Sequence, residues 1–322
     1  MRKESKVAKS VELSNIQGYH AGGYGCGNRE AYAFMGYKAN KYFTSDRFIL
    51  LDSHFNRPDG KPLRGFGLEI ETECMGITNS TVYAEMLQNV VLNHFPADLF
   101  KLQHDGSLGG QVSAEIITQV MTREFIRNQY PNWKLMYQTY FPAFQISCSR
   151  SGNCGMHTNV SLGMFGRSKA AQDLAIRKIL YFFNHHYSFA CALVQRDSNH
   201  TGYCGRMMEY DNKEACKTAN LENFPNNHGL CLNYSHYAAG RIEIRLVGGQ
   251  ATFGAFRNTM ESIFHLVEAV KTASWDDMDD LAKLFRGCNQ YVYDRLQSKC
   301  ARYLTEEQLA AIHQSVVREE LF

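Results

Sequence analysis

The sequence predicts an α+β fold, a mainly antiparallel sheet backed by helices, on three observations. Several short segments alternate polar with apolar residues, the period of a half-buried strand. Long segments from Ser168 and from Phe253 to Ser274 repeat apolar residues at helical spacing. No repeat or low-complexity linker separates these segments across the 322 residues, so one domain is the economical reading.

In chain order, residues 1–15 read as a tail. Gly18 to Gly27 is glycine-rich and reads as a connector, because no strand–helix context follows it. Phe48-Ile49-Leu50-Leu51 predicts a strand, and Asn56-Arg57-Pro58-Asp59-Gly60 a turn. Gly67 to Glu73 predicts the next strand. Asn79 or Ser80 caps a helix to about His94, with Val82, Met86, Val90 and Val91 on one side. Leu99 to Gln103 predicts a strand ending in the turn His104-Asp105-Gly106-Ser107. Ser113 to Thr118 predicts a strand, Thr122 to about Gln129 a helix, and Phe144 to Ser149 and Met156 to Leu162 strands around Ser151-Gly152-Asn153. Ser168 caps a long helix carrying Leu174, Ile179, Leu180 and Phe183, with a break near His185-His186 before Gln195. Cys231 to Ser235 and Arg241 to Val247 predict a hairpin. Phe253 to Ser274 is an amphipathic helix, and Thr305 with Gln308 spells a capping box in the helical stretch beyond Trp275. The chain then divides into an arm (1–60) packed on a core (61–274), with C-terminal helices (275–322) in the same domain.

Composition limits the function. With 34 basic and 32 acidic residues, net charge is +2, so there is no general attraction to nucleic acid or membrane surfaces. No apolar run approaches the length of a spanning helix, about 20 residues. The ten cysteines lack paired C-x-x-C spacing, and no signal peptide is evident, so reduced thiols in a cytoplasmic protein are expected. A Cys148–Cys154 pairing across the intervening turn is the less favoured alternative.

Four strands carry the chemistry. In Gly67-Leu68-Glu69-Ile70-Glu71-Thr72-Glu73, the apolar residues face a core and three glutamates share the other face. Adjacent carboxylates there stand about 7 Å apart and repel unless water or a cation screens them. A solvated face and a divalent-cation site both fit the pattern. Arg241, Glu243 and Arg245 share a face opposite Ile242, Ile244 and Leu246. His157, Asn159 and Ser161 share a face opposite Met156 and Val160, and Glu115 sits within a β-branched run. One sheet with a polar, ligand-lined face explains all four.

The ordered set Gly67-x-Glu69-x-Glu71, His104-Asp105-Gly106-Ser107, Ala114-Glu115-Ile116, Cys154-Gly155-Met156-His157 and Ile242-Glu243-Ile244-Arg245 resembles the amidoligase family, of the glutamine synthetase and glutamate–cysteine ligase superfamily. The matching blocks run from about Arg64 to Val270. The resemblance implies a curved antiparallel partial barrel over 61–274 and an ATP-dependent carboxylate–amine ligase working through an acyl phosphate. It implies Mg²⁺ or Mn²⁺ held by Glu69, Glu71, Glu115, His157 and Glu243, and Arg245 clamping the transferred phosphoryl group. Arg196, with Tyr203 downstream, corresponds to a substrate- or phosphate-binding Arg, although a helix C-terminus also favours Arg. Asp105 is the candidate acceptor of the amine proton, against an ordinary Asx turn. Lys101, Arg241 and Asn159 are the remaining candidates around ATP. Asn159 stands where the family often has a second His, and Glu73 is additional to its usual pair.

The expected partners are ATP, a carboxylate such as a glutamyl group, and an amine on an amino acid, peptide or protein; the family also occurs in phage. Oligomeric state is open. Two rivals remain at this point: a metal-dependent hydrolase or nuclease using the same carboxylates, and a non-catalytic protein on the same fold.

Overall fold

The structure is a computed structural model describing residues 64–78, 80–95, 99–103, 112–148, 154–197, 204–224 and 229–318, with two short strands before them. The tail, the glycine-rich loop, the Asn56–Gly60 turn, the Ser151–Asn153 turn and the His104–Ser107 turn with Asp105 lie outside the described residues, as does Tyr203.

The fold is α+β. Its strands are β1 (Tyr19–His20), β2 (Phe48–Ile49), β3 (Phe66–Cys74), β4 (Phe100–Gln103), β5 (Ser113–Thr118), β6 (Val120–Met121), β7 (Ile146–Ser147), β8 (Met156–Ser161), β9 (Leu232–Asn233) and β10 (Arg241–Ile244). They form one open sheet in the order β1-β4-β5-β3-β8-β10-β9, with β2, β6 and β7 beside this path. The described pairings are antiparallel except β1 with β4. By its contacts the chain gathers into two compact units.

The first unit includes Gly67–Met156 and Ala251–Phe253. Its spine is the β3–β5 ladder, in which Ile70 pairs with Ile116 and Glu71 with Glu115. Leu68 and Ile70 are buried as the alternation requires, together with Ala114, Ile116 and Leu102. Trp133, fully buried, meets the edges of Phe95 and Phe100 at centroid distances of 4.9 and 5.7 Å. The helix Ser80–Met86 continues into a wide turn, Leu87–Val91. A five-residue turn moves the buried line one position on, so Tyr83, Leu87 and Val91 face inward. Val90, expected inside, is 38% exposed.

Thr122 caps the helix Arg123–Asn128, its Oγ1 accepting from the Phe125 N–H at 3.1 Å. Beyond it the chain stays helical through Tyr130–Leu135, Met136–Tyr140 and Phe141–Ala143. The expected strand Phe144–Ser149 therefore shrinks to β7. Gln145, at φ 57°, makes the turn into it.

The second unit includes His157–Gln250 and the chain from Gly254. In it β10 pairs with β8 on one side and β9 on the other. Ser168 caps the helix Lys169–His185 at 3.3 Å, and the helix restarts at Tyr187 after the expected break. Ile179, Leu180 and Phe183 are buried, but Leu174 is 42% exposed. Five residues at about 100° each turn it about 140° away from Ile179, outside a core-facing stripe. The helix Phe253–Thr272 buries Phe256, Met260, Ile263, Phe264 and Val267. Lys178 Nζ donates to the Val270 carbonyl at 3.2 Å and to that of Ala273, closing this helix's C-terminal end. The Thr305–Gln308 capping box forms as predicted, at 3.0 and 3.1 Å.

All nine cysteines among the described residues are buried and form no disulfide, Cys148 and Cys154 included. Among these residues no helix is long and apolar enough to cross a membrane.

Candidate active site

In the first unit, alternation along β3 puts Glu69, Glu71 and Glu73 on one face. Glu69 and Glu73 are half-buried; Glu71 is only 4% exposed. Across the ladder Glu71 meets Glu115, itself 6% exposed. Each offers a carboxylate oxygen within 4.8 Å of the other's. For this pair the solvated-face reading is excluded by burial.

Gly155 fixes Glu71 from two sides. Its backbone N–H donates to Oε2, and its carbonyl accepts from the Glu71 N–H at 3.1 Å. On the opposite face of β3, the Tyr83 hydroxyl donates to Thr72 Oγ1 at 2.7 Å, and Thr72 donates to the Ala114 carbonyl at 2.6 Å. The strand carrying the glutamates is thus pinned to its neighbour. Burial pushes the Cys148 thiol well above its ordinary range; Cys154 and then the Glu71 carboxylate push it the same way. That thiol is an inert neighbour rather than a nucleophile. Lys101 is set opposite Ile117 and Gln103 opposite Glu115 by the backbone of β4; both side chains, like Asp105, lie outside the described set.

In the second unit, the predicted polar face of β8 and β10 is present and buried. Arg245 Nη1 donates to Glu243 Oε1 at 2.6 Å and lies 3.4 Å from His157 Nδ1, which is 3.3 Å from the same Glu243 oxygen. Arg241 Nη1 donates to Asn159 Oδ1 at 2.9 Å, and Asn159 stands opposite Glu243 in the register. His157, Asn159, Glu243 and Arg245 are each at most 5% exposed.

Sequence reading missed Asn233. From β9 its Nδ2 donates to Glu243 Oε2 at 2.8 Å, while its Oδ1 accepts from the Ser235 N–H at 3.0 Å. The available signal was an Asn inside a strand, where that residue is depleted. Arg196 takes a backbone role. It donates to the carbonyls of Leu246, Val247 and Arg245 at 3.3, 3.1 and 3.5 Å, tying the end of the helix Tyr187–Leu193 to the segment after β10. Burial raises the nearby Cys204 thiol, and the Arg196 and Arg245 guanidiniums lower it in part.

Each unit by itself offers donors of the kind a hard divalent cation takes: the carboxylate oxygens of Glu71 and Glu115 in the first, and Glu243 with one imidazole in the second. Two buried carboxylates facing each other gain most from such a charge. Arg245 and Arg241 supply guanidinium forks of the kind that grip phosphate. Compared with known proteins, the chain matches no family model and no curated protein.

Proposed function

We propose that the protein is an ATP-dependent carboxylate–amine ligase. The observation that carries this reading is the buried His157–Glu243–Arg245 network, with Asn159 opposite Glu243 and bonded to Arg241, which gathers carboxylate, imidazole and guanidinium where β8 and β10 pair. A purely structural role would favour apolar residues at such positions, because burying these charges costs more than it returns. The facing pair Glu71 and Glu115 adds a second concentration of cation-seeking oxygens.

In the proposed reaction a substrate carboxylate oxygen attacks the γ-phosphorus of ATP, and the bond to the bridging oxygen breaks to release ADP. An amine nitrogen then attacks the acyl carbon, and phosphate leaves as the amide forms. Arg245 grips the transferred phosphoryl group and steadies its charge through both displacements. Arg241, held through Asn159, orients a further phosphate oxygen. Asp105 accepts the ammonium proton and Lys101 adds positive charge beside the nucleotide. Glu69, Glu71 and Glu115 in the first unit, and His157 and Glu243 in the second, would hold Mg²⁺ or Mn²⁺, which would supply positive charge against the phosphates. Arg196 shapes the loop that carries Arg245. The acid is a glutamyl or other amino-acid or peptide carboxylate, and the amine is free or protein-borne.

The test is an ADP-release screen over acid and amine pairs with Mg²⁺, run beside Glu71→Gln and Arg245→Ala. Release that needs both co-substrates and drops by about 10²-fold or more in each variant supports the ligase. Release by water alone, or activity unchanged in both variants, refutes it.

A further inference from the structure

We propose that Arg245 and a divalent cation compete for the same two side chains, so that cation binding depends on an anion drawing Arg245 away. The proposal deepens the ligase reading, from which it takes a phosphoryl group as the anion. One guanidinium nitrogen, Nη1, touches Glu243 Oε1 at 2.6 Å and His157 Nδ1 at 3.4 Å, and those two atoms lie 3.3 Å apart. That nitrogen makes the pair of contacts that a cation between carboxylate and imidazole would make. A guanidinium stays charged at any working pH, so Arg245 already neutralises Glu243 and weakens its pull on a second positive charge. Phosphate offers the guanidinium a two-pronged partner of comparable quality. An arriving phosphate therefore competes with Glu243 for Arg245 and returns the carboxylate to a cation.

Asn233 is the positioning residue in this exchange. Its Oδ1 accepts from the Ser235 N–H at 3.0 Å, which obliges Nδ2 to face Glu243 Oε2 at 2.8 Å. Turning the amide over would break both bonds. Glu243 thus keeps its aim when Arg245 moves off, and only one of its two oxygens changes partner.

The test measures Mn²⁺ binding to the full chain by electron paramagnetic resonance, with and without inorganic phosphate. Binding linkage is reciprocal and commonly about 5- to 150-fold, so phosphate should tighten Mn²⁺ binding to the wild type by about fivefold or more. Arg245→Gln, checked for folding by circular dichroism, should bind Mn²⁺ more tightly without phosphate and gain nothing when phosphate is added. Phosphate-independent Mn²⁺ binding by the wild type overturns the proposal without recourse to any variant. A folded Arg245→Gln that binds Mn²⁺ more weakly than wild type overturns it too. Absence of Mn²⁺ binding sinks the metal reading and this inference together, whereas intact phosphate-linked binding with no ADP release sinks only the ligase.

Discussion

In the first unit, strand pairing sets carboxylate against carboxylate; in the second, it sets a carboxylate among a guanidinium, an amide and an imidazole. Both faces are buried, and both rest on the same period-2 alternation over an apolar back. They differ in the groups that strand pairing brings together. Glu243 meets a guanidinium and an amide of its own unit, whereas Glu71 faces a second carboxylate, Glu115, across the ladder. The same residue type therefore does different work on the two faces. Around Glu243 the neighbouring side chains include an opposite charge, while at Glu71 and Glu115 the register sets two carboxylates face to face, an arrangement that favours a cation.

The largest expected effect comes from breaking the balanced face. Arg245→Ala leaves Glu243 buried beside Asn233 and His157 without its guanidinium, which should cost about 3–5 kcal/mol of unfolding free energy in a urea titration. Next comes the cation itself. Mg²⁺ at about 100 times its dissociation constant should stabilise the wild type by about 2.7 kcal/mol, reversed by EDTA. That gain should largely vanish in Glu115→Gln. A melt indifferent to Mg²⁺ would mean that the acidic face takes no cation.

Smaller is Asn233→Ala, which removes a donor from Glu243 Oε2 and leaves a buried carboxylate oxygen less well satisfied. About 1–3 kcal/mol is expected, read in the same urea titration. Asn233→Asp should be worse, since it sets a second carboxylate against Glu243 and recreates the like-charge arrangement of the other face. If the two variants are equal, then electrostatics is not what distinguishes the faces.

Much of this contrast was legible in the sequence, because strand alternation is a local property. It sorted Leu68 and Ile70 from Glu69 and Glu71, and Ile242 and Ile244 from Arg241 and Glu243, before any pairing was known. Caps were legible for the same reason: Ser168 and Thr305 bond backbone groups three residues away. What escaped depends on distant partners. The segment Tyr130–Ala143 is rich in aromatic residues and contains Pro131 and Pro142, yet it is helical, its Trp133 packed on Phe95 and Phe100. The wide turn at Leu87–Val91 shifts the buried line by one residue, which no fixed period anticipates. Asn233 gains its role only because β9 lies beside β10, and the three carbonyls that Arg196 holds lie about fifty residues further along the chain.

The smallest expected effect is the most discriminating. Glu71→Gln and Glu243→Gln are the same chemical change, a carboxylate made neutral at almost constant volume. At Glu243 it strands the Arg245 guanidinium at 5% exposure, so stability should fall. At Glu71 it relieves the repulsion from Glu115, and the new amide oxygen still accepts the Gly155 N–H, losing only the strengthening that a charged acceptor gives. These opposing terms leave Glu71→Gln within about 1 kcal/mol of wild type, on either side, when both are unfolded in EDTA. Two substitutions alike on paper should thus separate clearly in one titration. If Glu71→Gln falls as far as Glu243→Gln, neutralising either carboxylate costs the fold alike, and the distinction between the two faces disappears.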